Sequence, residues 1–180
     1  MARKTAAAQA VRPLRIGVSG AGGGGGTSDD DLALAAARIV GEMVARAGAV
    51  LVTGGLGGVM AAAARGATEA GGLTVGILPG ERAGDANPWI TIPVVTDLGH
   101  ARNVILVHTA EALVAIGGSY GTLSEVALAL KIGVPVAAVG SWRMERAGHA
   151  APPIATFDDP AAAAAWALDA AWLARSARER

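Results

Sequence analysis

Three clusters of glycine dominate the residues that could do chemistry. They are Gly20-Ala21-Gly22-Gly23-Gly24-Gly25, Gly54-Gly55-Leu56-Gly57-Gly58 and Gly117-Gly118-Ser119-Tyr120-Gly121-Thr122. Each follows a short apolar run and precedes a run of helical period. Glycine lets backbone amides come close to an anion, and the following helix start offers unpaired N–H groups at the positive end of its dipole. A phosphate fits such a place. Glu125 lies one turn inside the helix after the third cluster, where a carboxylate can stabilise an oxocarbenium-like sugar carbon and orient water. Arg102 can clamp a phosphate bidentately or help a base depart. Each feature also has a plainer reading. Glycine-rich turns are common in tightly packed α/β proteins, Glu125 suits the dipole of its helix, and Arg102 can be an ordinary surface arginine.

Other chemistries are less well supported. Gly20 to Gly25 matches the G-x-G-x-x-G spacing of dinucleotide sites, but the second strand ends in Val52-Thr53-Gly54 instead of the acidic residue that would bind ribose hydroxyls. The only lysines are Lys4 and Lys131, so there is no Gly-Lys pair for a P-loop and no lysine near the glycines for a pyridoxal enzyme. His100 reads as a hydrogen-bonding residue, and His108 and His149 lack ligand spacing, so no metal site is expected. Tyr120 can stack on a base or fill its loop, and Met60 reads as core. There is no cysteine, which excludes disulfides and thiolate chemistry. No cofactor is expected.

The elements that must position these residues alternate. Strand-type runs are expected at Leu14–Ser19, Ala49–Thr53, Leu73–Leu78, Ile90–Val95, Ala112–Ile116 and Pro135–Val139. Helices are expected at Leu32–Gly48, with Thr27 or Ser28 as N-cap, and at Val59–Ala70, His100–Thr109 and Thr122–Ile132. Asp159 and Pro160 signal the start of a last helix, with Trp166 and Trp172 anchoring it. This order calls for right-handed crossovers and a doubly wound, mostly parallel Rossmann-like sheet with helices on both faces, the glycine loops sharing one edge. Residues 14–180 read as a single domain behind a disordered tail, residues 1–13. The chain has 180 residues, 52% of them hydrophobic but only 3% aromatic, which implies a core of small aliphatic side chains that lets backbones approach closely. Fifteen basic residues balance fifteen acidic ones, so neither nucleic acid nor a membrane surface is an expected partner. No apolar stretch suggests a membrane span, and a cytoplasmic location is expected.

Taken together, the motifs are familiar. Gly117 to Glu125, GGSYGTLSE, resembles the P-G-G-x-G-T-x-x-E motif of the LONELY GUY phosphoribohydrolases, often mislabelled lysine decarboxylases. TGGLGGVM resembles that family's partner glycine motif, and His100-Ala101-Arg102 its H-x-R. The likeness runs from about Leu14 to Val139 and extends to the branch that includes the molybdenum cofactor carrier proteins. It implies catalytic roles for Arg102 and Glu125. It also implies a phosphate or nucleotide site at Gly20, Gly22, Gly54, Gly55, Gly57, Gly58, Gly117, Gly118, Ser119, Tyr120, Gly121 and Thr122. The implied activity is hydrolysis of the N-glycosidic bond of a nucleoside 5'-monophosphate. The alternative is a carrier, without turnover, of a nucleotide or a pterin phosphate such as molybdenum cofactor. Arg102 and Glu125 favour the enzyme. Gly117 for Pro, Ser119 for Gly, Gly99 for Met and Asn103 for Lys favour the carrier. The family also implies a homodimer or higher homo-oligomer.

Overall fold

The computed structural model describes residues 12–23, 28–145 and 147–178. Most of the expected tail, Thr27, Gly24 and Gly25 lie outside the described residues. Seven strands form one sheet: β1 (Arg15–Gly20), β2 (Val50–Thr53), β3 (Thr74–Leu78), β4 (Ile92–Val95), β5 (Ala112–Ile116), β6 (Val136–Val139) and β7 (Ile154–Phe157). Their order is β4-β3-β2-β1-β5-β6-β7, and every pairing is parallel. Among the described residues, four α-helices cross over between strands, α1 (Ser28–Arg46), α2 (Val59–Glu69), α3 (Arg102–Thr109) and α4 (Tyr120–Ile132), and a fifth, α5 (Pro160–Arg178), follows β7.

Strand alternation sorts the helices into two layers. Ile16 and Val18 of β1 face α1, α2 and α5, and their cluster includes Val40, Ala63 and Ala167. Val50 and Val52 of β2 and Leu113 of β5 face the other way, with Leu106 of α3 and Val126 of α4. The small-residue composition acts where α1 meets α2. A Cβ on Gly41 would come within 2.0 Å of the Ala63 carbonyl oxygen, and one on Gly66 equally near that of Arg38. The two helices therefore touch backbone to backbone, as the sequence implied.

The direction of winding reverses between β1 and β5, where Gly20 pairs with Ile116. Loops leaving neighbouring strands there go to opposite faces and open a crevice at the carboxyl edge of the sheet. Gly20 to Gly23 of the first glycine cluster, and the second and third clusters, lie on that edge.

The structure corrects several expectations. A seventh strand, β7, follows Pro152-Pro153, and its four residues are too few for a clear period. The α3 helix starts at Arg102 after a 3-10 turn at Gly99–Ala101, and α4 starts at Tyr120, two residues earlier than expected. Asp159 caps α5 as expected, accepting a 2.9 Å bond from the Ala161 amide. Trp166 packs on Phe157, with ring centroids 6.1 Å apart, but Trp172 is 60% exposed. Among the described residues, no helix is long and apolar enough to cross a membrane.

Candidate functional site

Beneath the crevice, on the α3/α4 face, Arg102 and Glu125 meet. The Arg102 Nη1 donates to Glu125 Oε1 at 3.0 Å, and the two side chains are only 11% and 7% exposed. Strand alternation turns Ser19, the penultimate residue of β1, to the same face, where its hydroxyl donates to Glu125 Oε2. Both carboxylate oxygens therefore have a partner inside the protein. Burial pushes the Glu125 carboxyl above the usual carboxylate range, and the Ser19 hydroxyl and the Arg102 charge offset that only in part. Ser19 was not among the expected site residues. Its signal in the sequence is a hydroxyl at an inward-facing position of the otherwise apolar stretch Ile16 to Gly20.

The second glycine cluster serves this pair. A Cβ on Gly54 would lie 2.3 Å from Arg102 Nη2, so the guanidinium rests on bare backbone there. The Gly55 amide is already bonded to Thr53 Oγ1 at 3.0 Å, and Asn87 Nδ2 holds the carbonyls of Gly55 and Leu56. Gly57 and Gly58 pack against the backbone of the first cluster, Gly22 included, and the Val59 amide at the start of α2 donates to the Ala21 carbonyl at 3.0 Å. Gly20 leaves no room for a side chain beside Val59. These glycines have a packing reason that the sequence could not separate from anion binding.

The third cluster is different. No side chain caps the start of α4, although Ser119 occupies the N-cap position. The first turn of a helix leaves N–H groups without intrahelical partners, so this one presents them to the crevice. Thr122, 2% exposed, packs its side chain against Gly118, and its Oγ1 is buried without a hydrogen-bond partner. Buried hydroxyls are seldom left so. The loop is braced from behind, with Ser141 Oγ donating to the Gly117 carbonyl at 2.6 Å and Trp142 Nε1 to that of Ser119 at 3.2 Å. Tyr120 is 80% exposed and lies 5.7 Å, centroid to centroid, from Trp142. Tyr120 thus does not fill the loop.

The other departures from the LONELY GUY motif have visible consequences. Gly117 has φ +53°, which the proline of that motif cannot adopt. Asn103, where a lysine would follow the arginine, is buried and donates to Ser124 Oγ at 2.9 Å, tying α3 to α4. His100 is exposed and takes no part in the pair, and Met60 is core.

The parallel sheet and the position of its crevice place the protein in the Rossmann-like class. The chain belongs to the SLOG cluster4 family, whose model matches residues 13–163. It is similar to the molybdenum cofactor binding protein of Rippkaea orientalis, at 43% identity and TM-score 0.67, covering 73% of this chain and 78% of that one. It is similar to the molybdenum cofactor carrier protein of Chlamydomonas reinhardtii, at 37% identity and TM-score 0.75, covering 88% and 98%. A probable cytokinin riboside 5'-monophosphate phosphoribohydrolase of Oryza sativa subsp. japonica is 33% identical over 94 residues, which is 51% of this chain but only 41% of that protein. The LONELY GUY resemblance, with its carrier branch, is therefore a relationship of family.

Proposed function

We propose that this protein binds a phosphorylated heterocyclic small molecule, a nucleotide or a pterin phosphate of the molybdenum cofactor kind, and holds it without turnover. The observation that carries this reading is the state of Glu125. Its two oxygens are engaged by Arg102 and Ser19, and the residue is 5% exposed. A carboxylate that meets a developing oxocarbenium ion needs an oxygen facing the sugar. The uncapped start of α4 with the unpartnered Thr122 Oγ1 supports a phosphate anchor. The loop path set by Gly117, the burial of Asn103 and the likeness to a molybdenum cofactor binding protein and a molybdenum cofactor carrier protein support a carrier.

The hydrolase is the second reading, favoured by one observation: an arginine and a glutamate converge within a turn of the anion site. Titration with AMP and with adenosine, alongside chromatography for free adenine, separates the two. The carrier reading expects AMP to bind, adenosine to bind much less, and no adenine to appear. Catalytic release of adenine overturns it.

A homodimer belongs to the same proposal. The edge strand β4, the loop that follows it and α3 expose Ile92, Val95, Leu98 and Val104 at 43 to 50%. Such a strip on a sheet edge suits a second copy of the chain. A monomer by light scattering at micromolar concentration contradicts it. A cytoplasmic setting is likewise proposed.

A further inference from the structure

On the α1/α5 side of the crevice lies a cavity of about 830 Å³, within the range of small-molecule sites. Its walls are mostly apolar, from Leu32 and Ala36 of α1, Ile116 of β5, Val139 of β6 and Phe157 of β7. Gly117 and Gly118 form part of the wall, and Gly118 is the residue against which the unpartnered Thr122 packs. The cavity and the anion site at α4 are therefore two sides of one loop.

Among the described residues, the polar side chains of the lining are all acidic: Asp30, Asp31 and Asp158, with no Lys, Arg or His. Carboxylates repel a phosphate, so the anionic end of a ligand stays at α4 and its other end enters the cavity. Among the described residues, no group of three or more His, Asp or Glu is placed to hold a metal ion, so these acids do not form a cation cage. Asp31 and Asp158 are exposed at the edge of the cavity, where a carboxylate accepts hydrogen bonds from paired N–H donors bidentately. An amino-pyrimidinone ring, as in guanine or a pterin, presents such an edge with its ring N–H and exocyclic amine. Adenine lacks the ring N–H.

We propose that this cavity is the ring subsite of the protein, and that Asp158, with Asp31, selects a fused heterocycle bearing a 2-amino-4-oxo-pyrimidine edge over adenine. The assignment rests on the reading of the α4 start as a phosphate anchor.

The test compares guanosine, inosine and adenosine 5'-monophosphates and inorganic phosphate by calorimetry with the intact protein. The guanosine compound should bind roughly tenfold or more tighter than the other two, because inosine lacks only the exocyclic amine. Asp158→Asn should bring the guanosine compound down to the inosine level while leaving inorganic phosphate binding and the unfolding midpoint unchanged. As a second variant, Ala33→Leu should obstruct the cavity from α1, weakening the guanosine compound and sparing inorganic phosphate. Equal binding of all three nucleotides, or a guanine preference that survives both Asp158→Asn and Asp31→Asn, overturns the ring assignment and leaves the phosphate anchor standing. Failure of every monophosphate and of phosphate to bind removes the anchor and the subsite together.

Discussion

The guanidinium of Arg102 rests directly on Gly54, with the position of a Cβ at Gly54 only 2.3 Å from Nη2. The loop after β2 thereby fixes the reach of a residue at the start of α3, and with it the partner of Glu125. Gly54→Ala should push the guanidinium off its seat and cost about 1 to 3 kcal/mol, as overpacking does at a filled site. Urea unfolding measures this. An alanine variant within a few tenths of a kcal/mol of the parent would mean that Arg102 has room to move.

Arg102 and Glu125 should respond unequally to substitution. Arg102→Ala leaves a buried carboxylate with only Ser19 beside it and should cost about 3 to 5 kcal/mol. Glu125→Gln keeps the shape of the carboxyl and removes its buried charge, and should cost less at neutral pH than Arg102→Ala does. Because the carboxyl is raised in the folded state, the stability it contributes is present below its ordinary value and lost as pH rises through the raised one. The parent should therefore lose ground to the Glu125→Gln variant between acid and neutral pH. A parent that gains ground instead would place the Glu125 carboxyl below its ordinary range.

Glu111 carries the opposite sign. Burial raises its carboxyl, but hydrogen bonds from the Arg175 side chain, at 2.7 Å from Nε to Oε1, and the Arg15 amide, at 2.9 Å, with the charges of both arginines, leave it lowered overall. The contact ties α5 to the opening of β1. Its stability is present above the ordinary carboxylate value and fades as pH falls through the lowered one. Glu111→Gln should cost about 1.5 to 3 kcal/mol at pH 7, the range for bonds to charged groups, and less at pH 3. A cost that does not shrink on acidification contradicts this.

Thr122 should show function and stability pulling apart. Thr122→Val removes a buried hydroxyl that has no partner, so the free protein should be unchanged or up to about 1 kcal/mol more stable. Phosphate affinity should fall about 2- to 10-fold, the worth of one hydrogen bond of roughly 0.5 to 1.5 kcal/mol. Thermal unfolding and calorimetry on the same preparation read both. A valine variant that binds phosphate as the parent does would exclude Thr122 from the anchor.

Most of the fold could be read from the alternation of apolar runs and helical periods, since most crossovers of this parallel sheet carry a helix, the β3–β4 and β6–β7 connections excepted. β7 escaped because two prolines and four residues, three partly buried and one exposed, carry no period. Arg102 and Glu125 were legible through motifs, but Ser19 was passed over, because a serine near the end of a strand looks much alike whether it faces solvent or a buried carboxylate. The glycines showed the other limit. Gly54 and Gly58 answer to close packing and α4's loop to an uncapped helix start, and glycine spacing alone does not tell the two apart.

The central claim is binding without turnover, and a single-turnover experiment addresses it most directly. Labelled guanosine 5'-monophosphate is held overnight with excess protein, then separated into bound nucleotide, free nucleotide and free guanine. The structure leads us to expect most of the label bound and all of it recovered as intact nucleotide, for the parent and for Glu125→Gln alike. Guanine released by the parent and not by Glu125→Gln would show that Glu125 leaves Ser19 and Arg102 to act on the sugar, and would make the protein a hydrolase.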